Sequence, residues 1–233
     1  MEILSNISVV IPAYNEGTKI QEVLNSLKNK YDYNLVVIDD GSSDDTYEKS
    51  IKVSPYTLKH IINRGAGAAT ETGIKFALNY LKSDYIILLD ADGQNHENEL
   101  EPLIQKIKTE NLDIILGSRF MNGYNNQVPF KKHILHLFGR IYTFLLSNIW
   151  LTDNHNGFRI MNKKAASLMK FTFSRFEFSS EMQDIVSVNK LKFKEVQINV
   201  SYTEYSKQKG QKISNSIRII FNFLWKKIND CYI

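Results

Sequence analysis

The sequence predicts an α/β protein with a mostly parallel central sheet flanked by helices. Short apolar runs alternate with helical patterns through the first half of the 233-residue chain. These runs lack the alternation of apolar and polar residues that is typical of a strand with one solvent-exposed face. They therefore indicate strands that are buried on both faces. A polar loop follows each run, as in open parallel sheets that bind ligands at the carboxyl ends of their strands.

The elements can be assigned in order along the chain. Five strands are predicted from the apolar runs ISVVIPA, NLVVIDD, LKHIIN, DYIILLD and LDIILGS. The helical patterns between them cover residues 18–30, 44–53, 68–81 and 98–109. Two further helices are predicted in the second half, over residues 130–151 and 215–228, because their polar positions recur at helical spacing.

Composition narrows the class of protein. The single cysteine, Cys231, excludes an intramolecular disulfide and predicts a reducing, cytoplasmic setting. A net charge of +4 is too small to indicate a nucleic-acid partner. No basic region precedes the first apolar run, so we expect no secretory signal. No uncharged apolar stretch reaches the ~18 residues that indicate a membrane span.

Two carboxylates, Asp90 and Asp92, end the fourth apolar run in LLDADGQ. Alternation along a strand sends residues two apart to the same side, so both carboxylates can face one point. Two anions at one point repel each other unless a cation lies between them. The pair therefore indicates a site for Mg2+ or Mn2+, which take oxygen ligands. An ordinary Asp-Gly turn with solvated acids is the alternative.

The loops after the first three strands are also distinctive. Tyr14 could stack on a base, and Glu16 could accept a hydrogen bond from a ribose or a base. A plain Pro-containing turn with an acid at a helix N-terminus explains this loop almost as well. Asp39 closes the second strand and is expected to be buried, where a carboxylate needs a specific partner such as a nucleotide base or hydroxyl. Residues 42–46 are typical of a capped helix start. The glycines of NRGAGAATETG allow close approach to a phosphate or a sugar, although a tight turn explains them equally well.

An ordered set of motifs resembles glycosyltransferase family 2, the inverting enzymes with a GT-A fold that bind nucleotide sugars. These motifs are VVIPAYNE, VIDDGSSDDT, NRGAGAATETG, LLDADGQ, GSRF and TDNHNGFR, over residues 7–160. SYTEYSKQKGQK extends the similarity to about residue 212. Within the family the pattern is most similar to the dolichyl-phosphate or polyprenyl-phosphate mannose synthases. Asn95 and Glu97 depart from that branch, which commonly has His and Pro there.

The resemblance implies roles for individual residues. Those implied for the nucleotide sugar are Pro12, Ala13, Tyr14, Glu16, Asp39, Asp40, Gly67, Asp90, Ala91 and Arg119. Asp92 and Gln94 are implied as ligands of Mg2+ or Mn2+. The implied catalytic residues are Asp90, Arg119 and Asp153. Arg159, Lys209 and Lys212 are implied on the side of the acceptor and the diphosphate.

The two helical patterns of the second half have unusually wide apolar faces. Such a face fits a core, a homodimer seam or a membrane surface. Because the resemblance implies a lipid-linked acceptor, we expect a protein that is peripheral on the inner face of the cell membrane. We divide its single domain, residues 1–233, into a nucleotide-sugar-binding half (1–120), an acceptor half (121–212) and a C-terminal amphipathic helix (213–233).

Together these features predict an inverting, metal-dependent transferase that moves a sugar from a GDP- or UDP-linked donor to a polyprenyl phosphate. The alternative acceptor is a sugar hydroxyl of a lipid-linked or cell-surface glycan, for which Asp153 would be the base. A nucleotidyltransferase would share the sheet and the metal, but it should carry a Gly-rich, basic first loop, which PAYNEG is not. A noncatalytic lipid-surface protein would keep the fold without turnover.

Overall fold

The structure is a computed structural model that describes residues 6–93, 99–121, 147–154, 156–172 and 178–199, together with residues 137, 140, 141, 143 and 144. The strands in these ranges are β1 (Ile7–Ala13), β2 (Asn34–Asp39), β3 (Tyr56–Lys59), β4 (Tyr85–Leu88), β5 (Ile114–Ser118), β6 (Arg159–Asn162) and β7 (Phe193–Gln197). The helices are α1 (Ile20–Lys30), α2 (Thr46–Ile51), α3 (Ala66–Asn79), α4 (Leu100–Thr109), α5 (Lys163–Leu168) and α6 (Phe178–Val188).

The strands form one sheet in the order β3-β2-β1-β4-β6-β5-β7. β1 is parallel to β2 and β4, β2 is parallel to β3, and β5 is parallel to β7. β6 is antiparallel to both of its neighbours, β4 and β5. The predicted mostly parallel sheet is therefore confirmed. The antiparallel strand is an addition that the sequence analysis did not predict.

The antiparallel direction of β6 has a consequence for the site. β6 begins at the edge of the sheet where β4 and β5 end. Its first residue, Arg159, pairs with Leu88 of β4 and with Leu116 of β5. The arginine therefore lies at the edge where open parallel sheets bind their ligands.

Two apolar layers cover the faces of the sheet. Successive strand residues point to opposite faces, so Val9 belongs to one layer and Val10 to the other. Helices α1 and α4 cover the first face, and helices α3, α5 and α6 cover the second. Fully burying each aliphatic side chain contributes roughly 1.5–3 kcal/mol, which makes these layers the main source of stability.

The third strand differs from its prediction. The apolar run LKHIIN predicted a strand over residues 58–63, whereas β3 ends at Lys59. Ile61 and Ile62 are 100% and 69% exposed. Two causes are visible. β2 ends at Asp39 and offers no further partner, and the Asp40 carboxylate accepts hydrogen bonds from the backbone of residues 64 and 65, which draws the chain away from the sheet.

The second half contains elements that the sequence analysis did not predict, namely β6, β7, α5 and α6. Within the predicted helix of residues 130–151, the described positions 137–147 are helical. Asn148 has a φ of 55°, in the left-handed region, and residues 149 and 150 are not helical. The predicted C-terminal helix lies outside the described residues. Among the described helices, none is long and apolar enough to cross a membrane.

Candidate active site

The carboxyl ends of β1, β2, β4 and β5 meet at one edge of the sheet. β1, β2 and β4 are mutually parallel, and β5 runs in the same direction because both β4 and β5 are antiparallel to β6. The loops after these strands, and the loop that leads into β6, therefore share this edge. They bring together nearly all of the site residues predicted from the described part of the sequence: Pro12, Ala13, Tyr14, Glu16, Asp39, Asp90, Ala91, Asp92, Arg119, Asp153 and Arg159.

Hydrogen bonds join the first loop to the second. The backbone N–H of Asn15 donates to Ser42 Oγ at 2.9 Å, and that of Glu16 donates to Thr46 Oγ1 at 2.8 Å. Asn15 itself has a φ of 54°, which its short polar side chain tolerates. Residues 42–46 were predicted to be a helix start alone. They also fix the loop that carries Tyr14, a residue that is 48% exposed at the edge of the site.

Asp39 is fully buried at the end of β2. Its Oδ1 accepts a hydrogen bond from the backbone of Ser42 at 3.2 Å. Its Oδ2 has no hydrogen-bond donor in the described structure, and the Lys59 ammonium lies 3.7 Å away. Leaving a buried carboxylate oxygen without a donor costs free energy. An N–H or O–H group of a ligand would satisfy it.

Asp40 has different surroundings from Asp39. Its Oδ1 lies 2.7 Å from His60 Nδ1 and accepts from the backbone of Arg64 at 2.9 Å, and its Oδ2 accepts from the backbone of Gly65 at 2.7 Å. We predicted that Asp40 binds the donor, but its carboxylate is used within the protein. Its contribution is to hold the glycine loop in which Gly67, buried in the first turn of α3, lies.

Asp90 and Asp92 follow β4. Asp90 is exposed to solvent by its accessible surface, although neighbouring protein groups partly desolvate its carboxylate. This desolvation raises the pKa of Asp90, as does the charge of Glu16, whereas the charges of Arg159 and Arg119 oppose the shift. A Cβ at Gly157 would lie 2.1 Å from Asp90 Oδ2, so a larger residue at this position would displace the Asp90 carboxylate.

A second and nearly buried charge lies beside Asp90. Arg159 is 4% exposed. Burial lowers the pKa of Arg159 to about 10, and the charges of Asp90 and Asp153 act in the opposite direction. Its guanidinium also lies over the ring of Phe178 at 5.8 Å. The arginine therefore places a positive charge close enough to interact with both carboxylates at the sheet edge.

Arg119 and Asp153 form a bidentate pair. Arg119 Nε donates to Asp153 Oδ2 at 2.6 Å, and Nη2 donates to Oδ1 at 2.8 Å. The backbone N–H of Arg119 also donates to Oδ2 at 3.2 Å. The Asp153 side chain is fully buried. From the resemblance we expected one residue at the donor diphosphate and the other at the acceptor, and the structure joins them.

Sequence reasoning missed one residue near this pair. Glu195 of β7 accepts hydrogen bonds from the backbone of Thr152 and Asp153. The only sequence signal was an acid within the short strand FKEVQ. The sequence alone does not show that β7 pairs with β5. An acid in such a strand is then typical of an ordinary solvent-exposed residue.

The described carboxylates fit a divalent metal that shares its ligands with a substrate. Among the described residues no group of three or more His, Cys, Asp or Glu could hold a metal ion by itself. Mg2+ and Mn2+ are commonly held by one or two carboxylates, with waters and substrate phosphates completing the shell. Asp90 and Asp92 provide such a pair, and a cation would stabilise the ionised form of Asp90. The predicted residues Gln94, Lys209 and Lys212 lie outside the described residues.

Known proteins are similar to this chain in sequence. The model of the family "Glycosyl transferase family 2" matches residues 8–168. The chain is 38% identical over 225 residues to an uncharacterised protein of Methanocaldococcus jannaschii, covering 95% of this chain and 92% of that protein. It is 33% identical over 242 residues to the UDP-N-acetylglucosamine–dolichyl-phosphate N-acetylglucosaminyltransferase of Methanococcus voltae, covering 95% of this chain and 96% of that enzyme.

A solved structure shares the fold. The glucosyl-3-phosphoglycerate synthase of Mycobacterium tuberculosis, crystallised with Mn2+ and UDP-glucose, matches with a TM-score of 0.69 at 16% identity. The match covers 99% of this chain and 80% of that chain. The expected GT-A fold is thereby confirmed. The family match and the archaeal relatives lead to one conclusion: the chain belongs to glycosyl transferase family 2 and is a glycosyltransferase.

Proposed function

We propose that the protein is an inverting, metal-dependent glycosyltransferase that moves a sugar from a nucleoside-diphosphate donor to a polyprenyl phosphate at a membrane surface. The observation that carries this choice of acceptor is the bidentate pairing of Asp153 with Arg119. The named relative from Methanococcus voltae acts on dolichyl phosphate, which supports the same class of acceptor.

The pairing matters because the two acceptors differ in their need for a base. A phosphate monoester has a second pKa of about 6, so its attacking oxygen is already ionised near neutral pH. A sugar hydroxyl must lose its proton to a positioned base, which typically contributes about 10²–10⁴-fold to the rate. Both oxygens of Asp153 hold the Arg119 guanidinium, and this contact favours the ionised form of the carboxylate. Because both of its oxygens accept hydrogen bonds from Arg119, Asp153 is better placed to anchor that guanidinium than to take a proton from a hydroxyl.

The donor is placed by the first two loops. In this proposal the base stacks on Tyr14, Glu16 and Asp39 accept hydrogen bonds from the nucleoside, and the sugar lies near Asp90 and Ala91. The open oxygen of Asp39 supports that role. UDP in the donor of the Methanococcus voltae relative and in the mycobacterial complex favours a uridine nucleotide. These residues all belong to the 1–120 half of the proposed division of the domain.

The chemistry follows from the charges at the sheet edge. The acceptor oxygen forms a bond to the anomeric carbon on the face opposite to the diphosphate, the bond from that carbon to the diphosphate oxygen breaks, and the configuration inverts. Mg2+ or Mn2+ bound at Asp90 and Asp92 would supply charge for the departing diphosphate. Arg159 contributes a fixed positive charge at the same edge, where it needs little reorganisation during the reaction.

A patch of exposed side chains supports a membrane location. We define the apolar surface as Leu137, Ile141, Phe144 and Trp150, which are 47%, 41%, 38% and 49% exposed. The Arg140 guanidinium lies 4.7 Å from the ring centroid of Trp150. Aromatic and aliphatic side chains next to a cation are typical of helices that bind at a lipid interface. The loop of Trp150 continues into Asp153, so a lipid phosphate bound there would be near the acceptor side of the site.

Asp153→Asn tests the choice of acceptor. We expect turnover with polyprenyl phosphate to fall by about tenfold, since the variant weakens only the positioning of Arg119, and donor affinity to stay unchanged. Steady-state rates at saturating donor and Mn2+ provide the measurement. A loss of a thousandfold or more with unchanged donor affinity would make Asp153 the general base of a glycan-extending transferase.

A further inference from the structure

We propose that Glu195 is a positioning residue for the transfer reaction, which holds the Arg119–Asp153 pair in place without touching either substrate. The inference rests on the proposed function in one respect, that this pair faces the acceptor. Glu195 lies on β7, outside the loops that form the donor side of the site.

Glu195 binds two successive residues of the loop that carries Asp153. The backbone N–H of Thr152 lies 2.8 Å from Oε1 and 2.9 Å from Oε2. The Thr152 hydroxyl donates to Oε1 at 3.0 Å, and the backbone N–H of Asp153 donates to the same oxygen at 3.3 Å. One carboxylate therefore fixes both the backbone and the side chain of the residue immediately before Asp153.

A second set of hydrogen bonds extends this hold to Arg119. Ser118 Oγ and Thr152 Oγ1 are 2.5 Å apart, and the backbone N–H of Phe120 donates to Ser118 Oγ at 3.1 Å. A hydroxyl has one proton, and the proton of Thr152 is directed to Glu195, so Ser118 must donate to Thr152. The direction of the chain is thereby fixed from Phe120 through Ser118 and Thr152 to the carboxylate. The residues on both sides of Arg119 are tied to Glu195.

The surroundings of Glu195 act on the pKa of its carboxyl group in opposite directions. Burial raises the pKa of Glu195, and the hydrogen bonds from Thr152 and from the Asp153 backbone lower it, while the nearby Asp153 charge adds to the increase. Only a carboxylate offers two oxygens that both accept, and the Thr152 backbone uses both. A glutamine can keep one acceptor but replaces the other with a donor. The site therefore distinguishes a carboxylate from its amide.

Small displacements of positioning groups reduce rates, because a misplacement of about 1 Å at the reacting atoms can cost roughly a hundredfold. Glu195 is one step removed from those atoms. In Glu195→Ala, we expect kcat for transfer to fall by about tenfold while the affinity for UDP with Mn2+ changes by less than about twofold. Glu195→Gln should show an intermediate loss. Lys194→Ala is the matched control, because Lys194 on the same strand pairs with Glu110 at the surface, and this variant should match the wild type.

A double-mutant cycle separates positioning from a general structural role. If Glu195 acts only through the Arg119–Asp153 pair, Glu195→Ala should cause no further loss in an Asp153→Asn background. Additive losses would overturn the proposal, and so would a Glu195→Ala enzyme with wild-type kcat. If Glu195→Ala does not fold, as judged by thermal unfolding, Thr152→Val removes the hydroxyl link alone. Thr152→Val should then lower kcat in the wild-type background and cause no further loss when it is added to Asp153→Asn.

The same assays keep this inference distinct from the proposed function. The wild-type enzyme shows which acceptor is used, and its failure to glycosylate polyprenyl phosphate would contradict the proposed function alone. The ratio of variant to wild-type kcat, measured with whichever acceptor the wild type uses, decides the role of Glu195.

Discussion

The acids at the strand ends have different surroundings, and at the scale of single residues these surroundings separate their roles. The Asp40 carboxylate is used to hold a neighbouring loop, and Asp153 holds a guanidinium with both oxygens. Asp39 is buried, and one of its oxygens accepts no hydrogen bond from the part of the chain that the structure describes. Asp90 is exposed to solvent, while partial desolvation by neighbouring protein groups raises its pKa. The last two are the carboxylates that a ligand or a cation would stabilise.

Asp92→Ala tests the proposed metal site. Asp92 is only partly buried in the loop after β4, so we expect its removal to abolish Mn2+-dependent release of UDP and to leave the midpoint of thermal unfolding nearly unchanged. Asp32→Ala, which removes an exposed acid elsewhere, is the control and should retain activity. Full turnover of the Asp92 variant in Mn2+ would show that this carboxylate is not a metal ligand.

At the scale of elements, the sequence predicted the strands and loops that local residue patterns determine. Five apolar runs predicted the five strands of the first half, and the loops after them carried most of the site. The antiparallel insertion of β6 could not be predicted, because strand order depends on contacts far apart in the chain. The pairing of Arg119 with Asp153 and the hydrogen bonds from Glu195 to the Asp153 loop could not be predicted for the same reason. They join residues 34 and 42 positions apart in the chain.

At the end of the sheet opposite to the site, a buried acid, Asp113, precedes β5 and connects neighbouring strands. Its Oδ2 accepts hydrogen bonds from the backbone of Lys192 at 2.9 Å and from Lys164 Nζ at 3.0 Å, and its Oδ1 accepts from Asn162 at 3.0 Å. Burial raises the pKa of Asp113, but these bonds outweigh burial and lower the pKa below its usual value. The carboxylate therefore joins the adjoining ends of β5, β6 and β7.

Asp113→Asn should destabilise the protein at neutral pH by about 1.5–3 kcal/mol, the usual range for hydrogen bonds to a charged group. A lowered pKa in the folded state stabilises the protein above the unfolded pKa of about 3.9, and this stability is lost as the pH falls through the folded value. The difference from wild type should therefore shrink below about pH 4. Urea unfolding at a series of pH values would measure it, and a difference that is independent of pH would contradict the charge-based explanation.

At the scale of the whole molecule, the apolar surface and the site are adjacent in the chain. Arg140 Nε donates to the Leu151 carbonyl at 2.8 Å, which joins the helical segment to the loop that leads to Asp153. A protein bound to lipid through the apolar surface would hold its acceptor side near the headgroups. Such an arrangement would let the enzyme use an acceptor whose phosphate lies at the membrane surface while its donor arrives from water.

Replacing Phe144 and Trp150 together with serine should weaken binding to vesicles that contain anionic lipid by at least about threefold, because the variant loses the two aromatic anchors of the apolar surface. Sedimentation with phosphatidylglycerol vesicles would measure the bound fraction. Val188→Ser is the control, since Val188 is 73% exposed and lies outside the apolar surface. Equal sedimentation of the double variant and the wild type would indicate that another surface, or none, meets the lipid.

A transfer assay with a labelled sugar identifies the acceptor group. Purified protein, Mn2+ and UDP-sugars labelled in the sugar are incubated with a polyprenyl phosphate, with the matching polyprenol that lacks the phosphate, or with a glycan acceptor. We predict that label enters the lipid phase only with the polyprenyl phosphate, together with stoichiometric release of UDP. Label on the glycan, or equal labelling of the polyprenol, would contradict the proposal that the acceptor is a polyprenyl phosphate.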